Sequence, residues 1–257
     1  MEKKLIWEIG LAYFLILGVI LWDIKENYGV WKELVPVSLL AFFQLFLIGF
    51  VLLYLIQLHS VVLNLLVILI MTLNASFIAS KRFSLKGYSR RKVFLSVFLS
   101  IASVNYFLLA GYKLLKIVSW DAHMLIPFAG LLIAAGMRSV SLFSYHLKEL
   151  IVREREILEG FFALGAGNDF VRKYLLRKSI PTTTVVIRDM FKAAGIVHIP
   201  GVMVGLLMAG VNPLKAAAMQ FLVLSSMLFS MFFTPVIFFS LLTKIEGIFL
   251  IDERTKD

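Results

Sequence analysis

Residues 195–220 read GIVHIPGVMVGLLMAGVNPLKAAAMQ. The run is apolar, breaks in its middle at Pro200-Gly201, turns at Gly210-Val211-Asn212-Pro213, and then restarts. A helix in lipid satisfies its own backbone hydrogen bonds, so a break at membrane depth survives only where protein or a water-filled cavity covers the freed groups. Interrupted helices are a recurrent way to line a substrate path. The pattern predicts an interrupted membrane passage and makes it the first candidate for function.

The rest of the chain agrees with a membrane setting. Of 257 residues, 60% are apolar and 14% aromatic, and the mean hydropathy is +0.91, well outside the range of soluble domains. Windows of about 20 apolar residues, the length that crosses the hydrocarbon core as helix, recur at 5–22, 34–56, 61–80, 93–115, 124–147, 184–209 and 216–242. The predicted fold is all-α, a polytopic membrane helix bundle of about seven transmembrane helices forming a single transmembrane domain over residues 1–257. Trp22-Asp23-Ile24-Lys25 offers no small-residue cleavage site after the first window, so that window reads as a span rather than a signal peptide. Cysteine is absent, which excludes disulfides, thiolate metal sites and thiol switches.

The net charge of +10 is arranged in alternate loops. With the amino terminus outside, 19 of the 26 Lys and Arg fall inside and five outside, while Arg138 and Lys192 lie within spans. That bias follows the positive-inside rule and predicts an N-out, C-in topology. The charge then orients the chain and offers contacts to the lipid bilayer, not a nucleic-acid face. The loop from Lys81 to Lys92 reads as a basic anchor.

A longer segment, residues 148–183, separates the fifth and sixth spans. It reads as a charged helix (149–164), a break at Gly165-Ala166-Gly167, and a basic helix (170–180) that Asn168 or Asp169 can cap. Two readings fit this spacing. One is a solvated hairpin on the inner leaflet; the other is a docking element for a cytosolic partner, with Phe161, Phe162 and Leu164 as its apolar knob.

Signatures of enzyme chemistry are missing, and no catalytic residue is assigned. There is no phosphate-cradling Gly-x-x-x-x-Gly-Lys-Ser/Thr loop, no His-Glu-x-x-His and no Gly-x-Ser-x-Gly. His59, His123, His146 and His198 are scattered. Small and hydroxyl residues recur on single helix faces: Ser96, Ser100, Ser103 and Ala110; Gly130, Ala134, Arg138, Ser141 and Tyr145; Ser226, Ser230 and Thr234. Each such stripe suits close helix packing, and the three together also suit a polar interior. Arg138, mid-span, costs roughly 2.5–3.5 kcal/mol on insertion scales, so it reads either as an anion-binding or structural residue or as one snorkelling to the surface. Asp189 and Lys192, three apart, can pair on one helix face. Gly201 and Gly205 form a Gly-x-x-x-Gly unit. His198, with Met203 or Met208 near it in sequence, is the one candidate metal ligand, against the alternative of a hydrogen-bonded interior residue.

Several of these residues carry a resemblance. Gly195-Ile196-Val197, Ile199-Pro200-Gly201-Val202-Met203, Gly205-Leu206, Ala209-Gly210, Asn212-Pro213-Leu214-Lys215-Ala216 and Gln220 closely resemble the signature of the FetB-type iron-export permeases. That family includes the membrane partner of the plant aluminium-tolerance transporter. Supporting similarity extends to Asp189 and Lys192, to Glu159 with Leu164-Gly165-Ala166, to Pro127 with Gly130, to Asn74-Ala75, and to Gln44-Leu45 with Gly49. The family pattern departs at Ala135, which stands where an amide is usual, and at Leu40, which stands where an arginine is usual.

The resemblance implies the inner-membrane permease subunit of an ATP-binding-cassette exporter for iron or another metal, as a homodimer. ATP and Mg would bind a separate cytosolic ATPase subunit, with no cofactor on this chain. Glu159, Phe161, Phe162, Leu164, Gly165 and Ala166 would form the coupling element. Gln44, Asn74, Arg138, Asp189, Lys192, His198, Pro200, Gly201, Met203, Gly205, Asn212, Pro213 and Gln220 would mark the translocation path. Two rivals keep much of this. In one the same machinery carries an organic anion such as a nucleotide-sugar; in the other the chain is a non-transporting adaptor for an ATPase.

Overall fold

The computed structural model describes residues 2–58 and 60–248; His59, Arg254 and Lys256 lie outside them. The described residues form ten α-helices and no named strand. This is an all-α polytopic membrane bundle. It packs as two compact units, one holding the first two helices and the other holding the rest.

In the first unit, α1 (Glu2–Glu26) and α2 (Trp31–Leu58) are joined by a tight turn with Asn27 and Gly29 at positive φ. Asp23 clasps this turn. Its buried carboxylate accepts from the Val30 N–H (3.2 Å) and the Trp31 N–H (2.8 Å), which satisfies free donors at the start of α2.

The second unit is built on α3 (Val61–Arg82), α4 (Arg90–Leu114), α5 (Ala122–Arg153) and α10 (Pro213–Glu246). Ser60 caps α3 through its hydroxyl; Asn212 caps α10 through its amide oxygen, with Pro213 pre-set for the first helical position. At 32 and 34 residues, α5 and α10 are about 48 and 51 Å long and outreach a hydrocarbon core of about 30 Å. They run parallel. Phe143 of α5 packs on Phe238 and Phe239 of α10, and Ser230 Oγ donates to the Leu132 carbonyl (3.0 Å). α4 runs the other way, with Tyr112 beside Ser226 and Lys92 paired to Glu246 (3.1 Å).

Four buried hydroxyls bond to their own helix. Thr72, Ser76, Ser100 and Ser144 donate to carbonyls three or four residues earlier. The sequence stripe Ser226, Ser230, Thr234 is buried, Ser226 beside Tyr112 of α4 and Ser230 and Thr234 against α5, where Gly136 leaves just enough room. That stripe is packing. By contrast Arg138 and Tyr145 of the α5 stripe are exposed on the opposite side of the helix.

The basic loop after α3 is anchored by its apolar residues while its basic side chains stay exposed. Phe83 and Leu85 are buried, Phe83 meets Phe238 and Tyr88 edge to face, and the Ser89 N–H donates to Glu246. The ends of α3, α5 and α10 and the start of α4 are thereby gathered at one basic end of the bundle.

Candidate functional site

Between α5 and α10 lie four short helices: α6 (Arg155–Ala163), α7 (Asn168–Thr183), α8 (Val185–Ala193) and α9 (Gly201–Met208). Asn168 lies beside Gly247, at the basic end of α10. Phe191 of α8 meets Phe221, and α9 lies against the start of α10. The chain thus climbs the length of α10 through α7, α8 and α9, then reverses. Among the described residues, six helices are long and apolar enough to cross a membrane. The window at 184–209, expected to break at Pro200-Gly201, is the two short helices α8 and α9, and neither is among those six.

The break has a physical cause. α8 ends at Ala193, and Gly195 adopts φ +83, which a side-chain-bearing residue resists. Gly195 N–H then bonds the His198 carbonyl (2.9 Å) in a short bridged turn. Pro200, with no N–H of its own, precedes the first residue of α9. The start of α9 leaves free N–H groups, and buried Gln220 answers one of them: its Oε1 accepts from the Met203 N–H at 3.2 Å. At its other end α9 closes in a Schellman turn, with Gly210 (φ +78) donating to Leu207 and Val211 to Leu206. Gln220, Met203 and the Asn212-Pro213 cap are therefore one assembled unit. Replacing Gln220 with Leu leaves the Met203 N–H unpaired, at an expected cost of about 1–3 kcal/mol, read as a lowered midpoint of thermal unfolding in detergent with Lys215→Gln, an exposed neighbour, as control.

His198 is exposed in the break, as are Ile196 (91%) and Val197 (78%). Among the described residues no group of three or more His, Asp or Glu assembles. Gly201 and Gly205 face open space. Asp189 and Lys192 do pair, at 3.1 Å and exposed. Asn74 is exposed on α3, and Gln44 is exposed on α2 in the first unit.

The segment before the passage differs from its sequence reading in detail. α5 continues to Arg153, so the charged helix is divided at Glu154. α7 begins at Asn168 with Gly167 at the cap position and no side-chain cap, and Asp169 pairs with Arg172 (2.8 Å) instead. The second leg is seated by one face. Val171, Leu175, Ile180 and Thr183 are buried as α7 packs on α5 and α10.

The two legs are clasped together. Phe161 sits edge to face on Phe170 and Tyr174, each at 5.1 Å. Glu154 accepts from Tyr174 Oη (2.7 Å) and Lys178 Nζ (2.6 Å). The Lys178 hydrogen bond holds the Glu154 carboxyl below the usual carboxylate range, and the same bond holds Lys178 above the usual ammonium value. Glu159 is bound to Arg155 (2.6 Å). The turn is a second Schellman motif: Gly165 (φ +83) donates to Phe162, and Ala166 donates to Phe161. Of the three apolar candidates Phe161 and Phe162 are half-buried, and Leu164 projects outward at 88% exposure.

Sequence reasoning missed two positioning groups. The Glu154–Lys178 clasp joins residues 24 apart, a spacing with no periodic signal. Arg188 caps the α7–α8 kink by donating to the carbonyls of Pro181 (2.8 Å) and Thr184 (3.4 Å).

A bundle of this kind, with six helices long and apolar enough to span among the described residues, defines a multi-pass helical membrane protein. The chain belongs to the family described as an uncharacterised protein family, UPF0014, whose model matches residues 6–245. It is 30% identical over 216 residues to the "Probable iron export permease protein FetB" of Escherichia coli (strain K12), covering 84% of this chain and 82% of that protein. It is 28% identical over 203 residues to the "UPF0014 membrane protein STAR2" of Oryza sativa subsp. japonica (79% and 70% covered). It is 26% identical over 216 residues to the "Protein ALUMINUM SENSITIVE 3" of Arabidopsis thaliana (84% and 78%). No solved structure matches significantly.

Proposed function

We propose that this chain is the transmembrane subunit of an ATP-binding-cassette exporter in the inner membrane, moving iron or another metal cation, with ATP and Mg bound by a separate cytosolic subunit. The observation that carries this reading is continuity. The clasped α6–α7 hairpin leads without a linker into α8, the break and α9. Force applied at Leu164-Gly165-Ala166 from the basic, cytoplasmic end passes through the packed α7 to Pro200-Gly201. Similarity to the FetB permease supports the cargo and the direction.

A second copy completes the path. The break exposes backbone that lipid cannot hydrogen-bond, and Gly201 and Gly205 present a surface that lets another helix approach closely. The organic-anion alternative draws on one observation, Arg138, whose exposed guanidinium donates to the Ala134 carbonyl of its own helix (3.2 Å).

The test is reconstitution with the cognate ATPase in proteoliposomes. ATP hydrolysis and flux stimulated by a metal cation are expected. Stimulation by nucleotide-sugars alone would replace the cargo, and stable ATPase binding without stimulation by any solute would favour an adaptor.

A further inference from the structure

The basic end of the second unit contains a pocket of about 820 Å³ between the end of α3 and the end of α5. Four cations line it, Lys81, Arg82, Lys148 and Arg153, against one carboxylate, Glu149. Glu149 lies 4.0 Å from His146, and Arg153 lies 3.9 Å from Glu154. The hydroxyls of Ser84 and Tyr145 add neutral donors to the wall. Excess positive charge with hydroxyl donors is the chemistry that holds a phosphate group.

The surroundings identify which kind of phosphate. One helical turn toward the apolar part of the bundle, Phe77, Ile78 and Leu142 are all exposed. Lys81 Nζ lies 4.1 Å from the centre of the Phe77 ring, at the junction of charged and apolar surface. A soluble phosphate would use the cations and leave the apolar ramp bare. An acylated phosphate uses both. Tyr145 stands at the same junction, 67% exposed, as an aromatic at a membrane interface does.

We infer that the α3–α5 pocket is a binding site for the head group of an anionic phospholipid of the inner leaflet, its acyl chains lying along Phe77 and Leu142. Basic pockets between helices at the cytoplasmic face suit such head groups, and each cation near the surface is worth about a fivefold change in affinity. The inference stands apart from the transport reading.

The test is native mass spectrometry of the full chain released from nanodiscs holding equal phosphatidylglycerol and phosphatidylcholine. Wild type is expected to retain phosphatidylglycerol preferentially. Lys81→Gln with Lys148→Gln should lower that retention by about 25-fold if the two contributions are independent. Ser84→Glu places a carboxylate at an exposed wall position without disturbing the core and should lower it as well. Lys86→Gln, exposed on the same loop but outside the pocket, should leave it unchanged. Equal retention in Ser84→Glu and Lys86→Gln would overturn the site. Displacement of the lipid by millimolar inorganic phosphate in detergent would overturn the head-group assignment in favour of a soluble phosphate ligand.

Discussion

Gly165→Pro is expected to reduce solute-dependent ATPase stimulation to the unstimulated level while leaving membrane insertion intact. Gly165 occupies φ +83 and its N–H bonds the Phe162 carbonyl at 3.0 Å. Proline holds φ near −65° and has no N–H, so it can adopt neither feature. The turn must open, the Ala166–Phe161 bond is lost with it, and Leu164 is re-aimed. α7 keeps its packing on α5 and α10, because Val171 and Leu175 are held independently of the turn. Gly165→Ala should show a milder defect, since a left-handed non-glycine residue costs roughly 1–2 kcal/mol. The measurement pairs ATPase assays of the reconstituted complex with size-exclusion profiles of each variant. Normal stimulation in the proline variant would reject the coupling assignment.

The largest stability effect is expected at Gly136. A Cβ there would lie 3.1 Å from both Ser230 Oγ and Thr234 Oγ1, deep between α5 and α10. Leucine forces the two longest helices apart and strains the Ser230–Leu132 hydrogen bond. Overpacking of this kind costs about 1–3 kcal/mol, and losing a net hydrogen bond adds about 0.5–1.5. Gly136→Leu should therefore lower the unfolding midpoint in detergent clearly. Gly205→Leu is the informative contrast, because nothing lies within 4 Å of its Cβ position. It should leave the stability of the single chain unchanged and weaken self-association. A stable Gly136→Leu protein would show that the α5–α10 contact is looser than its geometry implies.

The proposed coupling path and the proposed lipid site meet near the same junction. Arg153 lines the pocket, while the next residue, Glu154, clasps the hairpin through Tyr174 and Lys178. Sequence showed neither the pocket nor the Glu154 clasp. Lys81 and Lys148 are 67 positions apart, and each reads there only as a topogenic charge. The long helices were legible because an apolar run of membrane length has one good backbone solution in lipid. The hairpin was legible as two legs and a turn, since Gly165-Ala166-Gly167 interrupts a charged periodic pattern. Its seating was not: whether α7 floats or packs depends on surfaces of α5 and α10 more than 20 residues away.

The sequence by itself determined the membrane class, the interrupted passage and the glycine turns, because each follows from local backbone chemistry: Pro200 lacks a donor, and Gly165 and Gly210 tolerate positive φ where other residues do not. Only the tertiary structure decided that the broken segment stops at Ala193 and resumes at Gly201, that Gln220 caps the second of its helices, and that Ser226, Ser230 and Thr234 are packing rather than a polar lining. Those outcomes depend on which side chain, distant in sequence, reaches a freed backbone group or fills the space beside a glycine.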